Sequence, residues 1–144
     1  MAIESSISGT NITSKAKVKF NVTTDQSMKI IVALVENGLI ANQTNYYSPT
    51  YGGNSIVGFV HNGVLRKVAT DLFGDAIPST VQVKNGIYEF PFNISTIGAT
   101  SNGVAFTVDP SKCSIVAYVL DATAAKKGVY NVQKADVGIT KTFD

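Results

Sequence analysis

A chain of 144 residues is long enough to remove about two thirds of its surface from water in one core, without disulfide or metal support. Only 15% of its residues are charged, below the ~25% usual for soluble domains, and a net charge of +2 spread along the chain gives no basic surface for nucleic acid or an acidic membrane. The single cysteine, Cys113, excludes an internal disulfide and a multi-cysteine zinc site, and no apolar stretch is long enough to cross a bilayer as a helix.

Strand signals then follow one another along the chain. Residues 15–24 alternate, with Ala16, Val18, Phe20 and Val22 on one face and lysines on the other, the pattern of a half-buried strand. Residues 28–36 hold the run Ile30-Ile31-Val32-Ala33-Leu34-Val35, which avoids water on both faces; Asn37-Gly38, a type I′ turn dipeptide, is expected to close it. Residues 41–55 are a polar loop carrying Tyr46, Tyr47 and Tyr51. A strand is expected over 56–69, a short one over 80–83, and an alternating one over 87–97 that Pro91 confines to an edge or a bulge. Residues 104–108, the second two-sided apolar run Ile115-Val116-Ala117-Tyr118-Val119-Leu120, and 129–137 complete the set; residues 122–127 have room for a helical turn only.

Seven or eight such strands, with no helical crossover, point to an all-β antiparallel sandwich of immunoglobulin or fibronectin type III style, built as one domain over residues 1–144. Phe20, Val22, Phe90 and Phe92 are expected in its core. The two apolar runs become neighbours in one sheet whose outer face needs a cover, and the 41–55 segment is long enough to lie across it.

Signals for chemistry are sparse. No Gly-x-Ser-x-Gly elbow, P-loop, Gly-x-Gly-x-x-Gly or His-Glu-x-x-His occurs, and the lone His61 has no sequence partner for a zinc site or a triad. The chain therefore reads as no enzyme, with no catalytic residue, metal or cofactor. Glu36, the abrupt polar end of an apolar strand, is the natural partner of Arg66, the only arginine, in a charge-assisted pair at the sandwich rim. Tyr46, Tyr47 and Tyr51, with His61 and Arg66 nearby on the rim, supply the aromatic faces and polar groups that a carbohydrate or a peptide would use, or fold back as a lid.

Val32-Ala33-Leu34-Val35-Glu36-Asn37-Gly38, His61-Asn62, Val64-Leu65-Arg66, Phe73-Gly74-Asp75 and Ile115-Val116-Ala117-Tyr118-Val119, in that order, resemble the carboxy-terminal part of the twenty-eight-kilodalton outer-membrane protein family of Bacteroidetes. The resemblance spans residues 14–137, and the His-Asn-x-Val-Leu-Arg piece is its most specific element. It implies an exported, surface-associated bacterial protein of which this chain is the second domain, behind a thioredoxin-like one. Such a protein is exported with a signal that this piece lacks. A second histidine common in the family is replaced here by Gly63, so no two-histidine site is implied. The expected role is an accessory, adhesion or protein-interaction domain that docks a neighbouring domain or a second protomer; the alternative is a carbohydrate- or peptide-binding module built on the tyrosine-bearing loop.

Overall fold

The computed structural model describes residues 1–46, 53–97, 99–101, 104–123 and 128–143. Eight strands build two facing antiparallel sheets. The first holds β1 (Ala2–Ser8), β2 (Asn11–Lys19) and β8 (Ile87–Ser95) in the order β1-β2-β8. The second runs β12 (Val129–Asp136), β11 (Cys113–Asp121), β3 (Met28–Glu36), β6 (Val64–Val68), with β7 (Asp75–Ala76) beside β6 on the same edge of β3. Two ribbons stand outside the sheets: β4 (Leu39–Thr44) with β5 (Ser55–His61), and β9 (Ala99–Ser101) with β10 (Val104–Phe106).

Period-2 alternation fixes which side chains meet between the sheets. Ile3, Ile12, Ala16, Val18, Phe92 and Ile94 of the three-stranded sheet pack against Ile30, Val32, Leu34, Cys113, Ile115, Ala117, Val119 and Ala135 of the other. Ile3, Ile12, Ile30, Leu34 and Ile115 have no exposed surface, and each contributes roughly 1.5–3 kcal/mol by leaving water. The two apolar runs pair directly with each other, Ile115 opposite Leu34, Ala117 opposite Val32 and Val119 opposite Ile30.

Several local expectations need correction. Asn37-Gly38 is not a turn. It lies opposite Asn62-Gly63 in what is otherwise one long hairpin, β3 running on into β4 and β5 into β6. Both glycines adopt left-handed φ (+73° and +66°), and the N–H of each donates to the side-chain carbonyl of the asparagine across from it (3.0 and 2.8 Å). The backbone ladder is interrupted there and the side chains replace it, which also divides the strand expected over 56–69. A turn does form at Asn85-Gly86, a second dipeptide of the same type: Asn85 has φ +66°, and a Cβ on Gly86 would lie 2.2 Å from the Val81 carbonyl oxygen.

The alternation over 15–24 outlasts its strand. β2 ends at Lys19; Phe20 is buried, but Val22 is 66% exposed because the chain has left the sheet. Phe92 is buried and Phe90 packs partly against the core. The short strand expected over 80–83 is a 3-10 turn, Ser79–Val81, and residues 124–127 of the expected helical turn lie outside the described residues. The 41–55 segment is not a lid where it is described: β4 pairs with β5 instead of lying on a sheet, and Tyr46 is 86% exposed. Tyr47 and Tyr51 lie outside the described residues.

Candidate functional site

The rim pair comes first because its residues were singled out from the sequence. A bulge in β6 opposite the Leu34–Val35 step inserts Arg66 as an extra residue and turns it toward the end of the core, where Glu36 closes the inner face of β3. Arg66 Nε lies 2.9 Å from Glu36 Oε2, an ion pair without the alignment of a hydrogen bond. Glu36 Oε1 accepts the Asp109 N–H at 3.0 Å; Arg66 Nη2 donates to the Thr107 carbonyl at 3.4 Å, and its guanidinium stacks over the Phe106 ring at 4.1 Å. Side-chain exposure is 14% for Arg66 and 3% for Glu36, so the guanidinium is spent on internal contacts. Burial, followed by the carboxylates of Glu36 and Asp109, raises the nearby Cys113 thiol to about 11, the state of an inert core cysteine.

The β4–β5 ribbon begins at the paired asparagines and carries His61, with Tyr46 following β4. His61, at its base, meets Phe59 edge-on with centroids 4.8 Å apart, and its buried Nε2 has no hydrogen-bond partner among the described residues. Asn42 accepts the Gly58 N–H at a second bulge, and Asn45 donates to the Gly53 carbonyl near the tip. Ile40, Val57 and Val60 are exposed along the ribbon. The structure thus brings Glu36 and Arg66 together, places His61 apart from Arg66 across the Asn62-Gly63 break, and puts Tyr46 near the tip. None of the main clefts is lined by Tyr46, His61 or Arg66. No group of metal-ligating residues occurs among the described residues.

A concave surface lies elsewhere, on the outer face of the five-stranded sheet. Away from the core, β3 presents Lys29, Ile31, Ala33 and Val35, β11 presents Val116, Tyr118 and Leu120, and β12 presents Val132 and Lys134. Ile31 and Ala33 are buried by their neighbours, whereas Leu65 and Val132 are more than half exposed. At one end the turn before β7 brings Leu72 and Phe73 beside Ile31. Gly74 makes that approach possible, since a Cβ there would meet Ile31 Cγ1 and the Ile30 carbonyl at 2.9 Å. With Tyr118, Leu120, Asp121, Thr123 and Val129 these residues line an open groove of about 520 Å³. Asp121 is occupied, accepting from the Thr123 N–H and hydroxyl and from the Tyr130 hydroxyl. Sequence reasoning missed Leu72, Phe73 and Val132; two bulky apolar residues side by side in a turn were the available signal.

A family model described as outer membrane protein Omp28 matches residues 1–141. The chain belongs to the Omp28 family. Its fold is also that of a crystal structure of a domain of the outer membrane lipoprotein Omp28 from Porphyromonas gingivalis, with TM-score 0.56 and 17% identity over 95% of this chain and 92% of that one. No curated protein matches the chain. Omp28 membership places it among exported proteins associated with the outer membrane or the cell surface. Among the described residues no helix is long and apolar enough to cross a membrane.

Proposed function

We propose that this Omp28 chain is a non-enzymatic protein-interaction domain, one β-sandwich of a longer exported protein, whose working surface is the outer face of the five-stranded sheet. One observation carries the reading: that face keeps Leu65, Leu72, Phe73, Val129 and Val132 more than half exposed around a groove floored by Ile31 and Tyr118, whereas the opposite outer face carries the paired charges of Lys15, Lys17, Glu4 and Glu89. A neighbouring domain or a second protomer would complete the cover. The rival use of the ribbon as a carbohydrate- or peptide-binding module rests on Tyr46, exposed near the tip, but loses Arg66, which the core rim already holds.

Hydroxyl-radical footprinting tests the proposal. Leu65, Phe73 and Val132 should be labelled readily in the isolated chain and at least several-fold less in the intact exported protein on cells. Equal labelling in the two settings would contradict it.

A further inference from the structure

Between Glu36 and Arg66 the chain carries no charge: residues 37–65 hold no Asp, Glu, Lys or Arg, in a protein whose charged fraction is 15%. These residues include the whole β4–β5 ribbon and the two Asn-Gly steps at its base. Antiparallel pairing fixes which backbone groups of β4 are left for another strand. The Asn45 N–H donates to the Asn54 carbonyl at 3.0 Å, so at every second residue from there, Gln43, Ala41 and Leu39, the backbone points at β5. The N–H and C=O groups of Ile40, Asn42 and Thr44 therefore point outward. Among the described residues only the Thr44 carbonyl meets a donor, the Gln43 side-chain amide at 3.3 Å, and the Ile40 side chain is 74% exposed.

The edges of both sheets and the far edge of the ribbon are blunted against strand addition. On β12 the N–H groups of Val132 and Lys134 are taken by the side-chain carbonyls of Asn131 (2.8 Å) and Gln133 (3.1 Å). Ile3 on β1 exchanges two 2.8 Å bonds with Lys141 of the C-terminal segment. β8 carries Pro91, which has no N–H; β6 is bulged at Arg66, and β7 is two residues long. β5 is bulged at Gly58, where φ is +70° and Asn42 Oδ1 holds the N–H at 3.2 Å. β4 has no proline, no bulge and no charge over Leu39–Thr44.

We infer that β4 pairs with β4 of a second copy of this chain, antiparallel about a two-fold axis at Asn42, joining two ribbons into one continuous sheet. This register sets Asn42 opposite the second copy's Asn42 and Ile40 opposite its Thr44, so every outward group of the strand finds a partner. Neutrality is what selects the second copy. A strand edge built for a different chain draws its specificity from complementary charge, whereas an edge that meets itself across a two-fold sets like residues close together and is served by having no charge. The six residues of β4 span only about 20 Å, so the contact belongs to the small, concentration-dependent class. It uses neither the apolar outer face nor its groove and stands apart from the function proposed above.

The test is disulfide trapping in the exported protein on cells. With Asn42→Cys, mild oxidation should link two copies of the chain through that position at least tenfold more than with Val57→Cys on the bulged edge of β5. Paired Cα atoms across such an axis lie about 5.5 Å apart, within disulfide reach, and the buried Cys113 stays unreactive. Adding Ile40→Lys and Thr44→Lys sets like charges opposite each other across the axis and should cut the linking about tenfold, whereas Ile40→Lys with Thr44→Glu sets opposite charges there and should restore it. Ile40→Pro removes an outward N–H without touching the ladder to β5, and should abolish the linking while the unfolding midpoint stays put. Equal linking at the two cysteine positions, or linking indifferent to the charge pattern and to Ile40→Pro, would overturn the inference. Links from position 42 to a different protein would overturn it in favour of a foreign strand.

Discussion

The three-stranded sheet turns a network of paired charges to water: Lys15 lies 2.8 Å from Glu89, and Lys17 reaches both Glu4 and Glu89. The five-stranded sheet, built on the same core, turns out Ile31, Ala33, Val35, Val116, Tyr118 and Val132. A sheet in a free-standing sandwich needs one apolar face, and the first sheet shows this chain building that pattern where it suffices. Two-sided apolarity in β3 and β11 is therefore a property of one sheet and not of the composition. The difference separates what the fold requires from what the proposed docking would use.

That separation has measurable consequences. Leu34→Ala and Ile115→Ala, which open cavities in the shared core, should each cost about 2–5 kcal/mol in denaturant unfolding. Val35→Ala, one residue along on the outer face, should cost clearly less. Equal losses would mean that the outer face is as tightly packed as the inner. Arg66→Ala should cost about 3–5 kcal/mol by leaving Glu36 buried without its cation, and a double-mutant cycle with Glu36→Gln should show strong coupling.

The pH response should also divide by sheet. The Lys15 hydrogen bond, followed by the charges of Lys15 and Lys17, lowers the Glu89 carboxyl below its ordinary range. A folded pKa below the unfolded one gives stability that is present above the unfolded value and lost as pH falls through the folded one. Lys17 is raised, chiefly by its hydrogen bond to Glu4, so its contribution is present below the ordinary lysine range and fades as pH rises through the folded value. Glu89→Gln should flatten the acid limb of the stability profile, and Val132→Lys should leave its shape unchanged. The smallest effect concerns that same substitution: on an exposed outer position, Val132→Lys should change stability by no more than about 0.5 kcal/mol while weakening association. A large loss would make Val132 a core residue.

Much of this division was legible in the sequence. Alternation over 15–19 and the paired runs over 30–35 and 115–120 identify the strands, because side-chain period and burial are local properties. The abrupt ending of an apolar strand at Glu36 and the uniqueness of Arg66 were enough to suggest the rim contact. The Asn37-Gly38 kink was not legible, since the same dipeptide closes a hairpin when its neighbours are in tight register and breaks one when a second Asn-Gly lies opposite; only the long-range pairing decides. The strand signal over 15–24 likewise continued past Lys19, because alternation records which way side chains would point and not where pairing partners end. His61 and the tyrosines of residues 41–55 drew attention through residue type, while the groove depends on a turn whose place beside Ile31 is set by Gly74.

Binding of a hydrophobic dye to the isolated chain most directly tests the claim that one outer face is bare and apolar while the other is not. Wild-type protein should bind the dye, and Leu65→Lys with Val132→Lys should remove most of that binding without changing the unfolding midpoint appreciably. A control change on the three-stranded sheet, Asn93→Lys, should leave it intact. A wild-type chain that binds no dye, or equal loss from changes on either sheet, would contradict the account.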